Sequence, residues 1–312
     1  MSSSMSDLAI SELATFRSLR FRVNVQPRQW LAFLLLGPSL VFLFPFTYWP
    51  AAEVIWQSFH EETRGHATFS GLRNYAAIFS DAAFRKSLVN NAVYAVGTMA
   101  PSLVLALGFA LALQRSHVFN VALRSILFLP VLVPLVAAAS MFLFVFLPGV
   151  GLLDHYLAKL GMQGANWIGD PDIALTSIMV LTVWKNAGYY MLFFLAGLQA
   201  IPPESYEAAA LDGASPWQRL RYVTLPYLRQ TSSFVLVIAA INVLTQVDHI
   251  FVLTKGGPSD STKLLLFYVY EQAVERYDFG KAAAATVVSL VILLAISGFS
   301  LSRIDRDMEV QR

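Results

Sequence analysis

The chain has 312 residues, of which 56% are hydrophobic and 13% charged, with a formal net charge of +2. A soluble domain carries about a quarter charged residues, so this composition excludes an ordinary soluble chain and implies hydrocarbon as part of its solvent. The small net charge, without basic runs interleaved with aromatics, gives no argument for nucleic acid as a partner; the lack of cysteine excludes disulfides, Fe–S clusters and thiolate metal sites.

Residues 1–30 form a polar N-terminal tail that opens Ser-rich. Leu13, Phe16 and Leu19 at threefold spacing, beside Arg17, Arg20 and Arg22, read either as a short helix on the membrane surface or as an unstructured tail. Six apolar runs follow, at 31–49 (ended by Pro50), 88–113, 126–147, 173–198, 234–253 and 282–301. Each is close to the roughly 20 residues that a helix needs to cross hydrocarbon. The runs are continuous rather than alternating, and lipid offers no partner for an unpaired amide, so helices are required. The first run exceeds the roughly 7–15-residue apolar core of a signal peptide and reads as an uncleaved span. The predicted fold class is therefore all-α, a polytopic membrane protein with six transmembrane helices in a domain at 31–302, followed by a tail at 303–312. The short link between the second and third runs predicts antiparallel neighbours.

Orientation rests on the Lys and Arg distribution. With the N-terminus inside, the inner side leads only slightly in basic residues. The short inner link 114–125 is the clearer signal, with Arg115 and Arg124 and no acid. Both termini are expected on the cytoplasmic side.

The inner link 199–233 between the fourth and fifth runs carries the most specific pattern. Pro203 suits a first helical turn, Glu204 and Glu207 complement the positive end of the helix dipole, and Gly213 suits the C-terminal turn. Ser215-Pro216 restarts a helix with Ser215 as N-cap, and Pro226 is expected to stop it. Two short helices at a bend make a knob. Ala208, Ala209 and Ala210 permit close approach, and Glu207 offers a carboxylate.

Glu207-Ala208-Ala209, Gly213, Val223 and Leu225-Pro226 at these spacings resemble the EAA loop of ABC importer permeases, with Val223 where that family usually has Ile. The resemblance covers nearly the whole chain. Lys255-Gly256-Gly257-Pro258, Thr262, Tyr268-Val269-Tyr270 and Phe279-Gly280-Lys281-Ala282-Ala283-Ala284, together with the prolines Pro130 and Pro202, are similar to the carbohydrate-type members, including glycerol-phosphate and disaccharide importers. It implies a type I ABC importer permease in a bacterial inner membrane. Glu207, Ala208, Ala209, Gly213, Leu225 and Pro226 would then form the coupling contact with a cytoplasmic ATPase dimer that binds ATP and Mg. The further partners it implies are a second, similar permease and an extracytoplasmic solute-binding protein. The chain itself lacks a phosphate cradle: Gly256 and Gly257 stand at the wrong spacing from Lys263 for a Gly-x-x-x-x-Gly-Lys-Ser/Thr loop. No catalytic residue, cofactor or metal site is expected in it.

Polar groups inside a span are costly and mark function by default. Trp184, Lys185, Asn186, Tyr189 and Tyr190 interrupt the fourth run; Asn242, Thr245, Gln246 and Asp248 cluster in the fifth, with Asn242 and Gln246 on one helical face; Asn90 and Asn91 begin the second. Two readings stand side by side. In one, Trp184, Lys185, Asn186, Tyr190, Asn242, Gln246 and Asp248 line a wet solute pathway, where Lys185 could also attract a phosphate. In the other, Lys185 pairs with Asp248 and the amides, Asn90 and Asn91 above all, knit helices together. The five histidines (His60, His66, His117, His155, His249) show no ligand spacing and read as structural or solvated. An ion-coupled secondary transporter would need intramembrane carboxylates, for which Asp248 and Glu53 are the candidates. A membrane enzyme lacks a nucleophile–base pair, and a scaffold leaves the knob unexplained.

Overall fold

The structure, a computed structural model, describes residues 27–63 and 66–310. The expectations for Leu13, Phe16 and Leu19 and their neighbouring arginines lie outside the described residues. The chain divides into two compact units after Glu53.

In the first unit, α1 (Pro27–Leu43) passes through a π-turn (Phe44–Tyr48) into α2 (Trp49–Gln57). The first run does not end at Pro50, as its sequence suggests. The π-turn re-phases the ladder beside Pro45, with the Trp49 amide donating to the Phe44 carbonyl, and Pro50 falls in the first turn of α2. A missing amide is tolerated in both settings. Leu34–Gln57 is long and apolar enough to cross a membrane.

The second unit begins with a small antiparallel hairpin, β1 (His60–Thr63) against β2 (His66–Phe69), which departs from a purely helical expectation. After α3 (Arg73–Ser80) comes α4 (Ala82–Leu113). It starts well before residue 88 because the Asp81 carboxylate caps it, accepting from the Ala83 amide at 2.9 Å. The third run is broken. It forms α5 (Val118–Leu132) and α6 (Leu135–Val145), bent by 99°. Pro134 supplies no amide and holds Val133 extended (φ −74°, ψ 127°), so α5 cannot continue.

α7 (Leu152–Lys159) follows in the next connection. There the buried Asp154 accepts from the Gly149 amide and the Trp167 indole, both at 2.6 Å, which holds its carboxyl below the usual range. α8 (Ala174–Gln199) is the fourth span. The link between the fourth and fifth spans then contains α9 (Pro203–Leu211), α10 (Pro216–Arg219), a π-turn (Leu220–Thr224) and α11 (Leu225–Tyr227). The fifth span is α12 (Arg229–Thr245) and α13 (Asp248–Leu253), separated at Gln246 and Val247. After α14 (Leu265–Tyr270), α15 runs from Phe279 to Val310 and takes in most of the tail expected at 303–312. Among the described residues five helices are long and apolar enough to span, and six spans result if the bent α5–α6 pair counts as one.

α8 is the axis of this unit. It packs along α4, and α5 lies chiefly against α8 rather than against its sequence neighbour α4. Close approach is made by small residues: a Cβ at Gly188 would lie 1.8 Å from the Leu127 carbonyl oxygen, and one at Gly197 would meet Thr231 Oγ1 at 2.6 Å. Where α8 leads into the 199–233 link, the core gathers Leu113, Tyr190, Phe194, Leu198, Ile201 and Leu228. These side chains root that link on both sides.

Asn90 and Asn91 tie α4 to the segment that leads into α14 rather than directly to another span. The Asn90 amide donates to the carbonyls of Asp260 (2.8 Å) and Lys263 (3.0 Å), and the Asn91 carbonyl oxygen accepts from the Leu265 amide at 3.3 Å. Lys263 is buried in an ion-pair chain, 2.8 Å from Asp260 and 2.6 Å from Glu271, which Arg276 also meets at 2.5 Å.

Candidate coupling segment and polar seam

The link between the fourth and fifth spans folds as its residues dictate. Pro203 opens α9 and Glu204 lies in its first turn. At the other end Gly213 takes φ +72°, a left-handed conformation that costs an L-residue about 1–2 kcal/mol. The Ala214 amide then bonds back to the Ala209 carbonyl at 2.9 Å. Ser215 and Gln218 form a reciprocal capping box. Pro226 does not stop the second helix: the π-turn carries the chain into α11, and Leu228 closes it.

Two side-chain hydrogen bonds tie the halves into a knob, Tyr206 hydroxyl to Thr224 hydroxyl and Ser205 hydroxyl to Tyr227 hydroxyl, both at 3.0 Å. Its outer surface carries Glu207, Ala208, Gly213, Leu225 and Pro226 exposed, with Ala209 half-buried. Leu211 (90% exposed), Trp217 (66%) and Tyr222 (70%) stand bare beside them. Exposed large apolar side chains gathered on one short segment suit a contact with a protein or with the membrane. Sequence reasoning missed Leu211, Trp217 and Tyr222, although each flanks the motif it singled out.

The second candidate region lies within the spans. Tyr94, Thr98 and Ser102 repeat every four residues on α4, and Thr182, Asn186 and Tyr190 do so on α8. All six are nearly fully buried, making a polar seam along the main helix contact. The Tyr94 hydroxyl lies 2.7 Å from the Thr182 hydroxyl and 2.9 Å from His249 Nε2, and the Asn242 amide donates to the Tyr190 hydroxyl at 3.1 Å. A cleft of about 10 Å³ lined by Thr98, Ser102, Thr182, Asn186, Tyr190 and Asn242 has room for about one water. A cleft of that size holds no space for a solute.

The structure thus brings Asn186, Tyr190 and Asn242 together and leaves the other pathway candidates elsewhere. Trp184 is partly exposed and packs its ring on Phe142, 5.2 Å between centroids. Gln246 caps the end of α12 in an extended conformation (φ −86°, ψ 107°), so it shares no helical face with Asn242. Asp248 is exposed in the first turn of α13, where a carboxylate complements the helix dipole. Lys185 does not pair with it. The ammonium donates to the carbonyls of Pro130 (3.2 Å) and Val133 (2.5 Å), with Val131 at 3.5 Å. Those contacts leave no donor directed at a phosphate. Sequence reasoning missed Tyr94, Thr98, Ser102, Thr182 and the role of His249; the fourfold spacing 94, 98, 102 was the available signal.

Comparison with known proteins agrees with this geometry. Residues 102–310 match the family described as "Binding-protein-dependent transport system inner membrane component". A probable ABC transporter permease protein YurN of Bacillus subtilis is 33% identical over 86% of this chain and 93% of its own length. The sn-glycerol-3-phosphate transport system permease protein UgpA of Agrobacterium fabrum is 31% identical over 90% and 97%. The trehalose/maltose transport system permease protein MalF of Thermococcus litoralis is 32% identical over 86% and 91%. Among solved structures, a chain of a bacterial ABC transporter involved in the import of the acidic polysaccharide alginate superposes with a TM-score of 0.78 at 22% identity, over 89% of this chain and 96% of that one.

Proposed function

The chain belongs to the inner-membrane components of binding-protein-dependent transport systems, and from that premise we propose that it is the coupling permease of an ATP-driven importer for a sugar or polyol-type solute. The observation that carries the coupling role is the bare knob at 203–227, rooted in the core by Ile201 and Leu228 and presenting Glu207, Gly213, Leu211 and Trp217 outward. In this reading a cytoplasmic ATPase dimer binds ATP and Mg and grips the knob. Its closure swings the spans toward an outward-open state, and hydrolysis resets them. A second, similar permease completes the pathway, an extracytoplasmic binding protein delivers the solute, and both termini lie on the cytoplasmic side.

Relatives named for trehalose/maltose and for glycerol-3-phosphate support a polyhydroxylated solute. Hydroxyl and amide groups of Asn186, Tyr190 and Asn242 suit hydroxyl partners, and the engagement of Lys185 by backbone carbonyls favours a neutral solute over a phosphorylated one. Family membership sets aside the ion-coupled alternative.

Glu207→Lys reverses the charge at the knob surface and is expected to reduce ATPase retention on the affinity-tagged permease roughly tenfold, the equivalent of about 1.4 kcal/mol. Unchanged co-purification in detergent would contradict the docking role.

A further inference from the structure

Lys185 and Gly188 stand three residues apart on α8, and both meet the same end of α5. At Gly188 the absence of a side chain lets the Leu127 carbonyl approach to 1.8 Å from where a Cβ would be. At Lys185 the ammonium binds the carbonyls of Pro130 and Val133. They lie where α5 ends, because Val133 is extended and Pro134 has no amide to give; the Pro130 carbonyl otherwise meets only the Val133 amide, at 3.3 Å. Hydrocarbon supplies no donor for such groups, so non-helical backbone at membrane depth survives only where protein satisfies it. A cation at a helix C-terminus also opposes the negative end of the dipole. The side chain is 6% exposed, and among the described residues no acidic group pairs with it.

We infer that Lys185 is a positioning residue for the third span: its ammonium holds the end of α5 on α8 and thereby sets the 99° bend into α6. The fourth span carries the knob at its inner end, so α5 is locked to the helix that leads into the inner link. α6, beyond the bend, packs mainly on α13 instead.

The test uses spin labels on the full chain in lipid nanodiscs, which is straightforward because the chain has no native cysteine. Ser125→Cys on α5 and Met141→Cys on α6 flank the bend. A straight helix would hold these positions about 24 Å apart along its axis, and the observed bend brings them to about 16 Å. With Lys185 present a narrow distribution near the shorter distance is expected. Lys185→Met keeps the volume and removes the donors, and is expected to broaden the distribution and shift it several Å longer. A control pair on α4 and α8, Val96→Cys with Val180→Cys, is expected to stay put. If Lys185→Met does not insert, Lys185→Gln, with a shorter stem, takes its place and the same lengthening is expected. An unchanged distance across the bend overturns the inference. So does an equal disturbance at the control pair, which would make Lys185 a general stabiliser of the bundle.

Discussion

Gly213→Trp is expected to leave the chain folded and inserted yet to cut uptake by roughly tenfold or more. The reason lies in what surrounds the residue. A Cβ at 213 would meet nothing within 4 Å, so the added side chain starts from open surface, where a docked partner would meet it. The φ of +72° adds a backbone cost of about 1–2 kcal/mol, enough to loosen the αL cap but not to unfold the spans. Gly213→Asn separates the two effects, because asparagine accepts the left-handed conformation with a small side chain, and it is expected to retain most transport. The check is uptake, by the assembled transporter in proteoliposomes, of those members of a panel of labelled sugars and polyols that the unaltered transporter accepts. Full uptake with tryptophan at 213 would mean that nothing docks on that surface.

The other large effect is expected at Gly188. Even alanine there places a methyl 1.8 Å from the Leu127 carbonyl oxygen, which is backbone and cannot rotate away. Overpacking in a dense core costs about 1–3 kcal/mol, and more where the obstacle is rigid. Gly188→Ala should therefore lower the thermal midpoint of the detergent-solubilised chain and its accumulation in the membrane. A variant with an unchanged midpoint would show that α5 and α8 are not packed at this spacing.

Much of this architecture was legible in the residues because lipid leaves so few options. Apolar runs of about 20 residues must be helices, and all six runs lie on helical segments. The knob was equally legible, since Pro203, Gly213 and Ser215 each carry a local backbone preference that the structure realises. Irregularities within the runs were harder to read. Residues 126–147 are apolar throughout, which hides the break at Val133-Pro134; the two prolines Pro130 and Pro134 were the signal, and only the second falls where α5 ends. Lys185 shows the limit in the other direction. A charge in a span invited a carboxylate partner or a solute, whereas a broken helix nearby supplies backbone acceptors that no side-chain inventory contains. Tyr94, Thr98, Ser102 and Thr182 of the seam were missed because threonine, serine and tyrosine barely interrupt an apolar run, and their partners meet across helices far apart in sequence.

The claim on which the account rests is that the knob between the fourth and fifth spans is seated on an ATPase at the cytoplasmic face. Leu211→Cys places one thiol on the most exposed apolar side chain of that knob, in a chain with no other cysteine. In inverted and right-side-out vesicles of the assembled transporter, a membrane-impermeant maleimide should label it only from the cytoplasmic side, and a short bifunctional reagent should join it to the ATPase. Labelling from the outer face, or a thiol that reacts freely with no cross-link to the ATPase, would contradict the account.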